Sequence, residues 1–200
     1  MAAVVGSTGG GLLVRILRRL SIVLVVAAVA AFSPAAVAWA TNFGSEGVAG
    51  GNIYNNGVWL TSNSTLSVTR LDLSATYSNA VQSILMGQYD PTDLSVIVAT
   101  TDACYWYDVC YMDYYYGDGI NQAWTYCAGG TTGSHPNQVC GQIYVIFDNV
   151  WNPPANHTIC HETGHSVGLR HSEDTSSCMH KEPYSSVLTN HDRAHINAAY

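Results

Sequence analysis

Apolar and polar positions along the chain fall into three regimes. Leu20 to Phe32 is an almost unbroken apolar run of about 13 residues, preceded by Arg15, Arg18 and Arg19 and followed by Ser33-Pro34 and the small-residue stretch Ala36-Val37-Ala38-Trp39-Ala40. A bilayer span needs roughly 20 apolar residues. The pattern therefore predicts a secretory signal peptide over residues 1–40, cut after Ala38 or Ala40. Residues 41–73 are rich in Gly, Asn, Ser and Thr with only short alternations, and predict a strand-poor entry segment without a functional role. From residue 74 to residue 200 the periodicity becomes regular enough for one domain. Tyr77, Ala80, Val81, Ile84 and Leu85 have helical spacing, with Gly87 as a stop, while Leu94–Ala99 and Gln142–Asp148 are β-branched runs bounded by turn residues and predict strands. The aromatic stretch between them, 102–141, predicts disulfide-restrained loops whose rings serve packing.

Charge sharpens the division. The chain has 7 Lys+Arg and 14 Asp+Glu, but three cations lie before residue 20 and no acid precedes Glu46. Residues 41–200 thus carry 4 cations against 14 anions, a net −10. So few cations exclude a phosphate-neutralising nucleic-acid binder. All six cysteines, Cys104, Cys110, Cys127, Cys140, Cys160 and Cys178, lie in this part. An even number behind an export signal predicts three disulfides in a secreted, extracellular protein without stable membrane association once the signal is removed. Loop length favours neighbour pairing: Cys104 with Cys110, Cys127 with Cys140, Cys160 with Cys178.

The chemistry concentrates in Cys160-His161-Glu162-Thr163-Gly164-His165-Ser166-Val167-Gly168-Leu169-Arg170-His171. His161 and His165, four apart, share one helix face and can reach one cation. Glu162 cannot easily join them on the ion, but it can reach a water there as general base. Gly168 permits the positive φ of a helix-ending turn, which returns His171 as a third ligand. Three imidazoles without a thiolate form the open, catalytic zinc pattern. Random placement of this composition yields the motif roughly 2 × 10⁻⁵ times per chain, so coincidence does not explain it.

This segment resembles the metzincin metalloproteases, whose motif H-E-x-x-H-x-x-G-x-x-H is met at every fixed position. The resemblance implies an α+β fold in which a twisted mixed sheet lies over an active-site helix, with a C-terminal helix following a Met-turn. Met179 in Cys178-Met179-His180 matches that turn, and a Cys160–Cys178 bridge would tie the helix to it. Ser172, the strand Gly141–Phe147 with Asp148 and Trp151, and the final segment from Leu188, with Thr189 and Asp192 placed for a cap, are similar to the matrixin branch. The small size and cysteine content are similar to small secreted bacterial members.

The implied function is a zinc endopeptidase with one catalytic ion, a protein or peptide substrate and a monomeric state. The structural zinc and calcium sites of matrixins are not recognisable, nor is a cysteine-switch segment. A competing reading is a secreted zinc-containing module whose aromatic stretch binds cell-wall or glycan ligands without proteolysis. His191 and His195, four apart with no Glu between them, read as surface positions, His135 as a turn residue, and His157 as a capping or substrate-contacting residue.

Overall fold

Five segments pair into one mixed sheet in a computed structural model that describes residues 42–47, 57–99, 103–114, 123–148 and 156–200. The signal-peptide reading with its cleavage after Ala38 or Ala40, and Tyr115, Tyr116, Trp151 and Pro153-Pro154, lie outside these residues. The strands are β1 Glu46–Gly47, β2 Gly57–Val58, β3 Thr65–Leu71, β4 Ser95–Val98, β5 Val109–Tyr114, β6 Ala123–Cys127, β7 Thr131–Thr132, β8 Val139–Cys140 and β9 Ile143–Asp148. The main sheet has the order β4-β3-β5-β9-β6. Its first four strands run parallel, and β6 closes one edge antiparallel to β9 with Thr125 opposite Val145.

Parallel neighbours require a crossover, and the first is made by helix α1, Ala75–Ile84, between β3 and β4. Ser74 caps it by accepting from the Tyr77 N–H. The helical path does not stop at Gly87. It widens into a π-turn over Leu85–Tyr89, closed by the Asp90 N–H on the Leu85 carbonyl at 2.9 Å. That turn carries Tyr89 into the core, where its hydroxyl donates to the Cys160 carbonyl at 2.5 Å.

Alternation explains which face of the sheet is covered. Ile143, Val145 and Phe147 are fully buried, and Phe147 stacks between Tyr77 and Tyr111 at centroid distances of 6.0 and 6.2 Å. Helix α2, Asn156–Ser166, lies against this layer; Tyr111 Oη and Thr163 Oγ1 share a hydrogen bond of 2.8 Å. Helix α3, Asn190–Ala199, ends the chain and begins with a capping box in which Thr189 and Asp192 exchange bonds.

Two expectations need correction. Thr65–Leu71, read as part of a strand-poor segment rich in Gly, Asn, Ser and Thr with only short alternations, is a seven-residue strand with Leu66 and Val68 fully buried. Asn42–Tyr200 is one compact unit that includes this stretch. The segment 102–141 likewise holds strands β5 and β6 in addition to loops. Its cysteines and Cys160 and Cys178 form the disulfides Cys104–Cys110, Cys127–Cys140 and Cys160–Cys178. Of its rings, Tyr111 belongs to the core, whereas Tyr105 and Trp106 are exposed. Among the described residues no helix is long and apolar enough to cross a membrane.

Candidate metal centre

Helix α2 is buried from His157 to Ser166, so each of its polar side chains needs a partner inside the protein. His161 Nδ1 bonds the Cys178 carbonyl at 2.9 Å, and His165 Nδ1 bonds the Leu169 carbonyl at 2.8 Å. A carbonyl only accepts, so both Nδ1 atoms carry the proton and both Nε2 atoms present lone pairs. Those Nε2 atoms nevertheless face each other at 3.0 Å, and His171 Nε2 lies 3.2 Å from that of His161. Two unprotonated nitrogens at such a distance repel unless a cation lies between them. Nitrogens held 2.0–2.1 Å from a tetrahedral zinc would lie about 3.3 Å apart, so the three histidines fit such an ion. Their ligand atoms all lie within 4.8 Å of one another.

The electrostatics agree with neutral imidazoles. Burial, then the neighbouring His165, pushes the His161 pKa down to about 3. Burial and the neighbouring His171 push that of His165 down to about 4. His171, more open to solvent, is lowered as well, first by burial and then by Lys181. Carbonyl-held ring N–H groups and neutral imidazoles are the state in which histidine ligates a metal.

The third histidine reaches the cluster through a turn that depends on Gly168. Its φ is +94°, and a Cβ there would come within 2.4 Å of Leu60 Cδ2 and 2.8 Å of Phe43 Cζ. Residues 42–44 lie along this turn: the Gly44 N–H donates to the Gly168 carbonyl at 2.9 Å, and the Arg170 N–H donates to the Asn42 carbonyl at 2.6 Å. The entry segment, expected to have no part in the site, thus braces the loop that delivers His171. No sequence signal marked it, because the contact spans more than 120 residues.

Beneath the cluster, Met179 is fully buried against the helix. A Cβ on Gly164 would stand 2.2 Å from Met179 Sδ and 2.8 Å from its Cε, so only glycine lets the thioether sit there. The floor is tied down by a chain of bonds. The Met179 N–H donates to Ser177 Oγ at 2.9 Å, and Ser177 Oγ donates to Asp192 Oδ2 at 2.7 Å. Asp192 also receives the Thr189 N–H and hydroxyl and Asn42 Nδ2. The Cys160–Cys178 disulfide joins the same turn to the helix beside His161.

Glu162 lies next to the cluster, largely buried, and burial raises its carboxyl pKa despite the opposing effects of His161 and Thr125. Thr125 Oγ1 is 2.8 Å from Glu162 Oε2 and 2.9 Å from the Glu162 carbonyl. Sequence reasoning missed Thr125, which falls in the stretch read as loops; it lies on strand β6, and its place beside Glu162 has no local signal. His157, one turn before His161, bonds the Ser185 carbonyl at 2.6 Å and so holds the chain beyond Met179. His135 sits in a turn, within 3.0 Å of Ser45 Oγ.

No family model matches the chain, and no curated protein matches it. Among solved structures, a crystal structure of myroilysin aligns with 11% identity over 70% of this chain and 85% of that one, with a TM-score of 0.44. A second structure of myroilysin aligns with 13% identity over 72% of this chain and 95% of that one, also with a TM-score of 0.44.

Proposed function

We propose that this chain is a secreted zinc endopeptidase of metzincin type, with His161, His165 and His171 as metal ligands and Glu162 as the catalytic base. The observation that carries the reading is the convergence of three Nε2 atoms, two of them deprotonated by their own carbonyl contacts, beside a buried carboxylate. When bound, zinc polarises a scissile carbonyl and lowers the pKa of a water to about 7. Glu162 accepts a proton from the attacking water and passes it to the leaving amine, so no covalent enzyme intermediate is needed. Its raised proton affinity suits both transfers. Thr125 donates its hydroxyl to one carboxylate oxygen of Glu162 and so restrains that side chain.

Strand β6 is the antiparallel edge of the sheet and carries Thr125 beside Glu162. An extended peptide laid along such an edge gains main-chain hydrogen bonds, which is a mode of peptide recognition. Three disulfides agree with an oxidising, extracellular compartment, and the proposed signal over residues 1–40 would take the chain there.

Metal analysis joined to a proteolysis assay tests this reading. The purified mature chain is expected to bind zinc tightly at the His161 cluster, to digest casein, to lose that activity in a chelator and to regain it with added zinc. A chain that holds zinc and cleaves nothing would favour the glycan-binding alternative instead.

A further inference from the structure

Helix α3 carries a second histidine pair that the proposed reaction does not use. His191 and His195 are four residues apart and therefore share one face of the helix. Their Nε2 atoms lie 3.1 Å apart, with the rings edge-on and centroids separated by 4.4 Å. The first two ligands of the candidate centre have nearly the same arrangement, 3.0 Å between nitrogens and 4.6 Å between centroids. Both spacings approach the about 3.3 Å expected for two imidazoles on one tetrahedral ion.

The surroundings hold this pair in place. His195 stacks on Phe43 at 15° and 5.6 Å, which restrains its ring from one side. The capping box fixes the first turn of the helix that bears His191. Asp192 lies between the two histidines in sequence, but its carboxylate is turned inward onto Ser177, Thr189 and Asn42 and does not compete for the pair. Burial and the neighbouring His191 lower the proton affinity of His195, which favours the neutral, ligating ring.

We propose that His191 and His195 form a second metal site, which chelates a borderline divalent cation of the zinc or copper(II) type with water completing the coordination. Imidazole nitrogen suits these ions, while calcium and magnesium prefer oxygen. The ion would clamp the first turn of α3 to the next. That turn holds Asp192, and through Ser177 it supports the Met179 floor; Phe43 links His195 to the Gly168 turn. Binding to the folded state alone would also raise thermal stability with the logarithm of free metal above the dissociation constant.

Equilibrium dialysis of the mature chain against zinc, with metal analysis, tests the site without reference to proteolysis. Two zinc ions per chain are expected for the natural sequence, one for the His191→Asn/His195→Asn double variant, and one for a His161→Ala/His165→Ala variant. Equal stoichiometry in the natural chain and the His191→Asn/His195→Asn variant would overturn the proposal. Should that variant fold poorly, two-bond proton–nitrogen spectra of the natural chain provide the second readout. The Nε2 resonances of His191 and His195 must move together as zinc is added beyond the first equivalent, and resonances that stay fixed would overturn it equally. Loss of the first ion alone, with these resonances still responsive, would count against the proposed protease centre and not against this site.

Discussion

Thr125 Oγ1 stands 2.8 Å from Glu162 Oε2, linking an edge strand to the carboxylate beside the histidine cluster. A hydrogen bond to a charged group is worth about 1.5–3 kcal/mol. Thr125→Val keeps the shape and removes the hydroxyl. It is expected to lower kcat by roughly 10–100-fold with zinc content unchanged, and Thr125→Ser should restore most of the loss. A Val variant with natural kcat would remove Thr125 from any role in positioning the base.

Gly164 and Met179 form a second such relationship, because a Cβ on Gly164 would overlap the thioether. Gly164→Ala should destabilise the fold by about 1–3 kcal/mol through overpacking and weaken zinc binding by displacing α2 from its floor. The effect is expected to be strongly non-additive with Met179→Ala, which empties the same space. Denaturation of the single and double variants measures the coupling; additive losses would show that the two residues do not compete for that volume.

The Cys160–Cys178 bridge closes a loop with a sequence separation of 18. Constraint of the unfolded chain over such a loop contributes about 3 kcal/mol. A Cys160→Ser/Cys178→Ser variant should lose stability of that order and bind zinc less tightly, because His161 Nδ1 rests on the Cys178 carbonyl. An unchanged urea midpoint would contradict the assignment.

The histidines also predict how the metal-free protein responds to acid. Burial holds the pKa of His161 at about 3 and that of His165 at about 4, against an ordinary value near 6.5. Between those values the unfolded chain takes up protons that the folded chain refuses, so stability falls as pH drops. In chelator, Tm should be level with respect to these groups above pH 6.5 and decline from there toward pH 3. Replacing both residues with Gln should flatten that decline, and a variant that keeps the natural slope would assign it to other groups.

What the sequence disclosed follows the range of the interactions. The His161, Glu162 and His165 spacing is a one-turn relationship, and the Thr189–Asp192 cap is equally local, so both could be read directly. Neighbouring cysteines paired as loop length favours. Strand β3 was missed because Thr65, Ser67 and Arg70 mask a buried face formed by Leu66 and Val68. The contact of Thr125 with Glu162 and that of Phe43 with Gly168 exist only after the sheet has assembled and the chain has folded back, and no periodicity encodes them. The π-turn at Leu85–Tyr89 was hidden for another reason: Gly87 looked like a terminator, yet a Cβ there would meet no atom within 4 Å, and the helix simply continues past it.

Proton transfer by Glu162 beside a zinc held by three histidines is the step on which the proposed activity rests. Mass-spectrometric identification of cleavage products from a proteome-derived peptide library, with the natural chain and Glu162→Gln at equal zinc content, tests it. New peptide termini are expected with the natural chain and near-complete loss of them with Glu162→Gln. Equal cleavage by both proteins would remove Glu162 from the reaction, and no cleavage by the zinc-loaded natural chain would rule out a peptidase.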